Sequence, residues 1–420
     1  MAEVGERERV VLPEEDGEET YGNEHVTADG LLQTLKVAKG IAGYKHPMVL
    51  DVLFEAFGML IKDYRLSACD ELLEDAREEV LARGKEDKYS VQMQQALAFL
   101  RFKQFRFAEA VQHFEAMREV VPANAFLLEN TGHAYNSLGD QAAAERCFKE
   151  ALTLIDAAQS RALAALLAEQ PELEGSVDAA QLDVPEAANK GGLLMGLGLV
   201  LHRTGRHVEG LELLQQARAF YAGRAARAAA ARVGDERVLV AKAEVSVAGA
   251  LAALGRLGEA AQSYAAAVDA FAEECGRVNP LTADALRKLG LLLLRQGREA
   301  EAEQAMSEAL ELAVAVDAFS VNVYNLAELV IALFQLHGRQ GVHEARAAWY
   351  VPLLTTALAK VRLQKSAAAL ASPEFVLLSN LAEELAEIAA AYAAAHPDEA
   401  DELAHAVAAV SLEDDTNPEQ

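Results

Sequence analysis

Leu128-Glu-Asn-Thr-Gly132-His-Ala-Tyr135-Asn-Ser-Leu-Gly139, followed by Ala144, Phe148 and Ala151, is the stretch that decides the fold of this chain. Apolar and small residues recur in it at spacings of three and four, the period of a helix with one buried face. Gly139 interrupts the pattern, and the same period resumes behind it. The stretch therefore predicts two helices folded back on each other at Gly139, with Gly132 and Ala144 as small residues and Phe148 as a large one.

The pattern recurs along the chain. Turns are predicted at Asp63, Phe105, Gly139, Gly205, Gly255 and Gly297. Seven residues before them stand Ala56, Ala98, Gly132, Gly198, Ala248 and Gly290; five after them stand Ala68, Ala110, Ala144, Gly210, Ala260 and Ala302. Nine after them comes a large column: Leu72, Phe114, Phe148, Leu214, Tyr264 and Met306. Gly and Ala are abundant here, so the small columns gain their force from the large column that keeps step with them. A small residue on each helix lets two backbones approach closely, and a large residue one turn on fills the gap to the next pair. One pair cannot bury its own apolar face, so pairs stack. A degraded seventh copy turns at Gly338 or Gly341, with Ala345 and Trp349 in the small and large slots.

The columns resemble those of the tetratricopeptide repeat family, over roughly residues 50–350. The preceding unit, with Leu97, Ala98, Ala110, Phe114 and Pro122, sits 34 residues earlier, the family's usual offset. The family's leading Trp is absent, and Leu128 takes its place in the best copy. Longer steps between turns, as over Tyr264–Leu310 with Asn279-Pro280 inside it, resemble the longer-helix repeats of kinesin light chains. The resemblance implies an all-α fold, a right-handed superhelical solenoid of antiparallel helix pairs. It also implies a concave surface, lined by the first helix of each pair, that grips an extended peptide or a partner helix. Carrying those slots over gives Gln95 and Phe99, then Asn130, His133, Lys242, Arg287, Lys288, Arg295 and Asn325. The later residues form a basic patch on an acidic chain, which favours an acidic or carboxylate-bearing peptide. Chaperone co-factors of the family clamp a terminal carboxylate with Lys, Asn, Asn, Lys and Arg. Here only Asn130 matches; Gln95, Phe99, Gly192 and Gly196 stand in the other four places.

Composition agrees with a helical array. Of 420 residues, 85 are alanine, which loses no side-chain entropy in a helix, and no alternating run predicts a strand. The formal net charge is −27, which argues against a nucleic-acid binder or a binder of anionic membranes. Much of that charge lies at the ends, so residues 1–30 and 412–420 are expected to be disordered acidic tails. Between them, residues 31–352 form the array, with an insert near 157–190, and residues 353–411 form capping helices. Helix starts are marked at His46-Pro47, Asn279-Pro280 and Ser372-Pro373. The start of the chain shows no secretory or transit pattern, and the longest apolar run, Gly191–Leu201, is too short to span a bilayer. With three dispersed cysteines, Cys69, Cys147 and Cys275, this predicts a reducing, cytoplasmic setting.

No catalytic, metal or cofactor motif stands out. His202 and His207 are five apart and His337 and His343 six apart, neither at the i, i+4 spacing of a helical zinc pair. Gly191, Gly192, Gly196 and Gly198 lie in a first-helix slot without the strand or the Lys-Ser/Thr of a phosphate loop. Cys69 and Cys147 are expected in the core. The sequence therefore predicts a non-enzyme: a scaffold or adaptor for a protein partner, of undetermined oligomeric state. A kinesin-light-chain-like cargo adaptor or a ciliary or flagellar assembly scaffold, cytoskeleton-associated, is one alternative, although no heptad-rich coiled coil precedes the array. A small-molecule-sensing repeat protein is another.

Overall fold

The computed structural model describes residues 27–63, 65–179, 182, 184–231, 236–316, 323–364 and 373–396. Of the acidic tails expected at 1–30 and 412–420, residues 1–26 and 412–420 lie outside these residues, as does Ser372, whereas residues 28–30 belong to the first helix. Among the described residues there is no strand. Helix α1 is Ala28–Ala42, α2 Pro47–Lys62, α3 Leu66–Leu81, α4 Lys88–Lys103, α5 Phe107–Arg118, α6 Ala125–Leu138, α7 Gln141–Glu169 and α8 Lys190–Arg203. Then follow α9 His207–Ala231, α10 Glu236–Ala253, α11 Leu257–Cys275, α12 Pro280–Arg295, α13 Glu299–Ala315, α14 Val323–Gln340, α15 His343–Gln364 and α16 Pro373–Ala395. The chain divides into two compact units, residues 1–200 and 201–420.

The repeated element is a helical hairpin with one kind of turn. In each, the amide after the turn residue donates to the carbonyl five positions back: Arg106 to Arg101, Asp140 to Tyr135, Arg206 to Leu201, Arg256 to Leu251, Arg298 to Leu293 and Val342 to His337. That bond closes a helix end around a left-handed residue. Glycine fills that place at Gly139, Gly205, Gly255, Gly297 and Gly341, with φ between 73° and 94°. Phe105 fills it in the α4–α5 hairpin, at φ 61° and with its ring three-quarters exposed. In four of the hairpins the second helix opens on a fork-on-fork ion pair across three residues. Arg106–Glu109, Arg206–Glu209, Arg256–Glu259 and Arg298–Glu301 each make two N–H···O bonds.

The turn bonds also fix the register. In the first copy the amide that reaches back is that of Arg65, to Leu60. The α2–α3 copy is therefore one residue later than a turn at Asp63 would place it. Asp63 itself stays on the right-handed side at φ −77°. Cys69 and Leu73, both fully buried, take the slots read as Ala68 and Leu72. In the last copy Gly341 is the turn, and Tyr350, nine residues on and fully buried, is the large residue; Trp349 is half-buried beside it.

Small and large columns meet as the spacing predicts. The Phe148 ring lies against Gly132 of α6 and Gly196 of α8, so close that a Cβ at either position would stand 2.8 and 2.7 Å from its atoms. Met306 lies on Gly290 in the same way, at 2.4 Å from a Cβ built there. Ala98, Ala110, Ala144, Ala248, Ala260 and Ala302 are all fully buried. These close approaches leave no room for a larger residue at Gly132, Gly196 and Gly290.

Three features depart from a plain array. Helix α7 continues well past its hairpin partner, and by length and apolar content it could cross a membrane; here Ala144, Phe148, Ala151 and Ile155 are buried in the stack. Behind α7, the segment to α8 holds two short 3₁₀ turns, Pro171–Leu173 and Pro185–Ala187. It is held down by Gln159, which is buried. The Gln159 amide donates to the Leu182 carbonyl at 3.0 Å and accepts from Lys190 Nζ at 2.9 Å. At the other end, α15 runs through Pro352, so the boundary read at 353 falls within a helix. A proline's lost hydrogen bond does not by itself end a helix whose flanks, Tyr350 and Leu354, are fully buried. Helix α16 packs on α14 and α15 and buries Leu378 and Leu385.

Candidate interaction surface on the first helices

In the second unit, α10, α12 and α14 are the first helices of successive hairpins. Helices α12 and α14 are joined by a polar cluster. Asp284 accepts from Arg287 Nη2 at 2.7 Å and from Asn325 Nδ2 at 3.2 Å, and pairs with Lys288 Nζ at 2.7 Å. Arg287 reaches across with its other nitrogen to Glu328 of α14. Burial works to raise the Asp284 carboxyl, but the Lys288 and Arg287 charges outweigh it and hold it below its ordinary value. Tyr264 lies within the same field. Burial and Asp284 push its hydroxyl up to about 12, against the opposing pull of Arg287 and Arg295.

The structure thus brings Arg287, Lys288 and Asn325 together, and Arg295 lies in electrostatic reach of Tyr264. Lys242, exposed on α10, takes no part in the cluster's hydrogen bonds; its own carbonyl accepts from Ser246. The sequence reading missed Asp284 and Glu328. Asp284 was legible, since it stands three and four residues before Arg287 and Lys288 on one helix face. Glu328 was not, because its contact depends on how two helices pack. The charge of Arg287 is spent inside the cluster, and its side chain is only 11% exposed, whereas that of Lys288 is 33% exposed.

In the first unit, Asn130 and His133 stand on α6. Asn130 donates to the Phe126 carbonyl at 2.9 Å. His133 meets the Phe148 ring edge-on at 5.1 Å and has Glu129 at 3.9 Å. Phe99 of α4 packs on Phe114 and Phe126, with ring centroids 5.8 and 6.4 Å apart, and Gln95 is buried.

The histidines and cysteines fall as follows. His202 and His207 face each other across the Gly205 turn, Nδ1 to Nδ1 at 3.1 Å. His337 is buried between Tyr350, at 2.7 Å from Nδ1, and Glu303, at 3.2 Å from Nε2. Cys69 and Cys147 are buried free thiols, and burial pushes them up to about 12 and about 11, away from nucleophilic chemistry. Among the described residues, no group of three or more His, Cys, Asp or Glu is placed to hold a metal ion.

Models of the tetratricopeptide repeat match residues 127–157 and 239–313. No curated protein matches the chain. Among solved structures, the apo form of the quorum sensor NprR from B. thuringiensis is 14% identical with a TM-score of 0.50, over 91% of this chain and 97% of that one. A Rap protein complexed with Competence and Sporulation Factor is 16% identical with a TM-score of 0.49, over 86% and 97%. At such identities the first is a likeness of fold, and it agrees with the α-solenoid class. With small and large columns meeting in successive hairpins and two segments matched by repeat models, the chain carries tetratricopeptide repeats over residues 127–157 and 239–313.

Proposed function

We propose that this chain is a non-catalytic scaffold or adaptor that binds another protein, as an extended peptide or a helix, along the first helices of its hairpins. The observation that carries the reading is the cluster on α12 and α14. Polar, partly exposed side chains of consecutive first helices are locked into one arrangement by Asp284, Arg287, Asn325 and Glu328. A preformed polar surface loses little entropy when a partner docks, and so sets register at low cost. Asp284 and Glu328 balance Arg287 and Lys288, so the exposed Arg295 supplies the surplus positive charge, which favours a partner segment bearing a carboxylate.

The test is affinity capture with the full chain and quantitative mass spectrometry, comparing wild type with the Arg295→Glu variant. Arg287 and Lys288 are left alone, because a glutamate at either place would face Asp284 and disturb the fold. Selective loss of the wild-type partner, with an unchanged helical spectrum, supports the reading. Equal recovery by both proteins removes the charge claim, and the absence of any specific partner removes the scaffold.

A further inference from the structure

The hairpin turn brings two positions together, three before the left-handed residue and two after it, as two other copies show. Phe102 and Phe107 meet there with ring centroids 5.4 Å apart. Gln141 there donates to the Asn136 carbonyl at 3.4 Å. The backbone of the turn, and not the side chains, sets this juxtaposition. In the copy that turns at Gly205, both positions hold histidine. Their Nδ1 atoms are 3.1 Å apart, their ring centroids are 4.8 Å apart, and both side chains are half-exposed.

We propose that His202 and His207 form a two-imidazole chelate for a divalent first-row metal ion of the Zn²⁺ or Ni²⁺ class, clasping the last turn of α8 to the first turn of α9. Two imidazole nitrogens at about 2.05 Å from one ion lie about 2.9 Å apart at an octahedral angle of about 90° and about 3.3 Å apart at a tetrahedral angle of about 109°. With a ring centre about 1.15 Å behind each nitrogen, the ring centres then fall about 4.5 to 5.2 Å apart. A straight N–H···N bond of the observed length would hold them about 5.4 Å apart. Both distances in the structure fall in the range that one shared ion spans. Imidazole is a ligand suited to Zn²⁺ and Ni²⁺, and the remaining coordination positions are left to water.

The chemistry balances without any other reactant. In the empty pair one Nδ1 carries the proton and the other accepts it. When the ion enters, the donor ring moves its proton to Nε2 through solvent, and each Nδ1 lone pair binds the metal. Both rings stay neutral.

The experiment titrates the full, tag-free chain with ZnCl₂, and separately NiCl₂, by calorimetry. His202→Ala, His207→Ala and the double variant are run beside it. The expected result is one equivalent bound by the wild type, weakened at least tenfold by either single substitution, with the helical spectrum unchanged in all variants. In ¹⁵N spectra of the histidines, added Zn²⁺ should move the Nδ1 resonances of two residues. Wild-type binding no tighter than that of the double variant, or shifts at Nε2 alone, would overturn the chelate and leave a plain hydrogen-bonded pair.

Discussion

Replacing Gly196 with alanine probes the packing that builds the stack. The added Cβ would stand 2.7 Å from Cζ, 2.8 Å from Cε1 and 3.2 Å from Cε2 of Phe148. Ordinary carbon contacts begin near about 3.5 Å, so the ring must retreat by about 0.8 Å. It has nowhere to go. Gly132 crowds the same ring, since a Cβ there would stand 2.8 Å from Cε1, so the backbone of α6 already touches it. The strain is shared among the ring, α6 and α8, and overpacking of this kind costs about 1–3 kcal/mol. A 420-residue repeat protein need not unfold in one step, so a global melt is the wrong readout. Native-state hydrogen exchange of amides in α6, α7 and α8 reads the loss where it occurs. Gly196→Ala should lower protection there by 5- to 150-fold, the range that about 1–3 kcal/mol spans. Phe148→Leu in the same chain should recover part of it, giving a coupling of about 1 kcal/mol between the sites. Protection equal to wild type, or strict additivity of the two substitutions, would refute the wedge.

Phe105→Gly should raise local stability by about 0.5–1 kcal/mol. It relieves a bulky residue at φ 61°, net of the extra freedom glycine gives the unfolded chain, and exchange in α4 and α5 would show it. Gln159→Ala should free the segment between Pro171 and Ala187. Leu182 and Lys190 lose their shared partner, and limited proteolysis should then cut there at least several-fold faster. Acidification should destabilise the protein in two stages. Burial holds His337, His113 and His202 below their ordinary value, so the unfolded chain takes up protons first. Stability is then lost as pH falls through about 6.5 towards the lowered folded values. Asp75, Asp87 and Asp284 are held low, so their share is lost only below about pH 4. Urea midpoints that do not change between pH 7 and 5.5 would contradict the first stage, and His337→Gln should shrink it.

What the sequence carried was whatever recurs. The columns around Gly139 exposed the hairpin because each copy meets the same steric demand, and Phe148 with Gly132 is that demand made visible. The first copy was read one residue early, since Asp63 sits where a turn belongs while the reach-back bond comes from Arg65. The Arg-x-x-Glu pairs after the turns were in plain view at 106–109, 206–209, 256–259 and 298–301, but a surface pair leaves no hydrophobic periodicity to notice. Of the surface residues, Arg287, Lys288 and Asn325 were placed by analogy of slot. Their carboxylate partner Glu328, 41 residues from Arg287, depends on helix packing that no local pattern encodes. His202 and His207 were set aside because a spacing of five is wrong for one helix. A turn lies between them, and across a turn five is the spacing that faces.

The most direct measurement is a set of nuclear Overhauser contacts in a deuterated chain protonated only at phenylalanine rings and glycine α positions. Strong contacts from the Phe148 ring to both Gly132 and Gly196 are predicted, since all three meet at van der Waals distance. A Phe148 ring that reports neither glycine, or only one of them, would contradict a stack wedged by large residues between small ones.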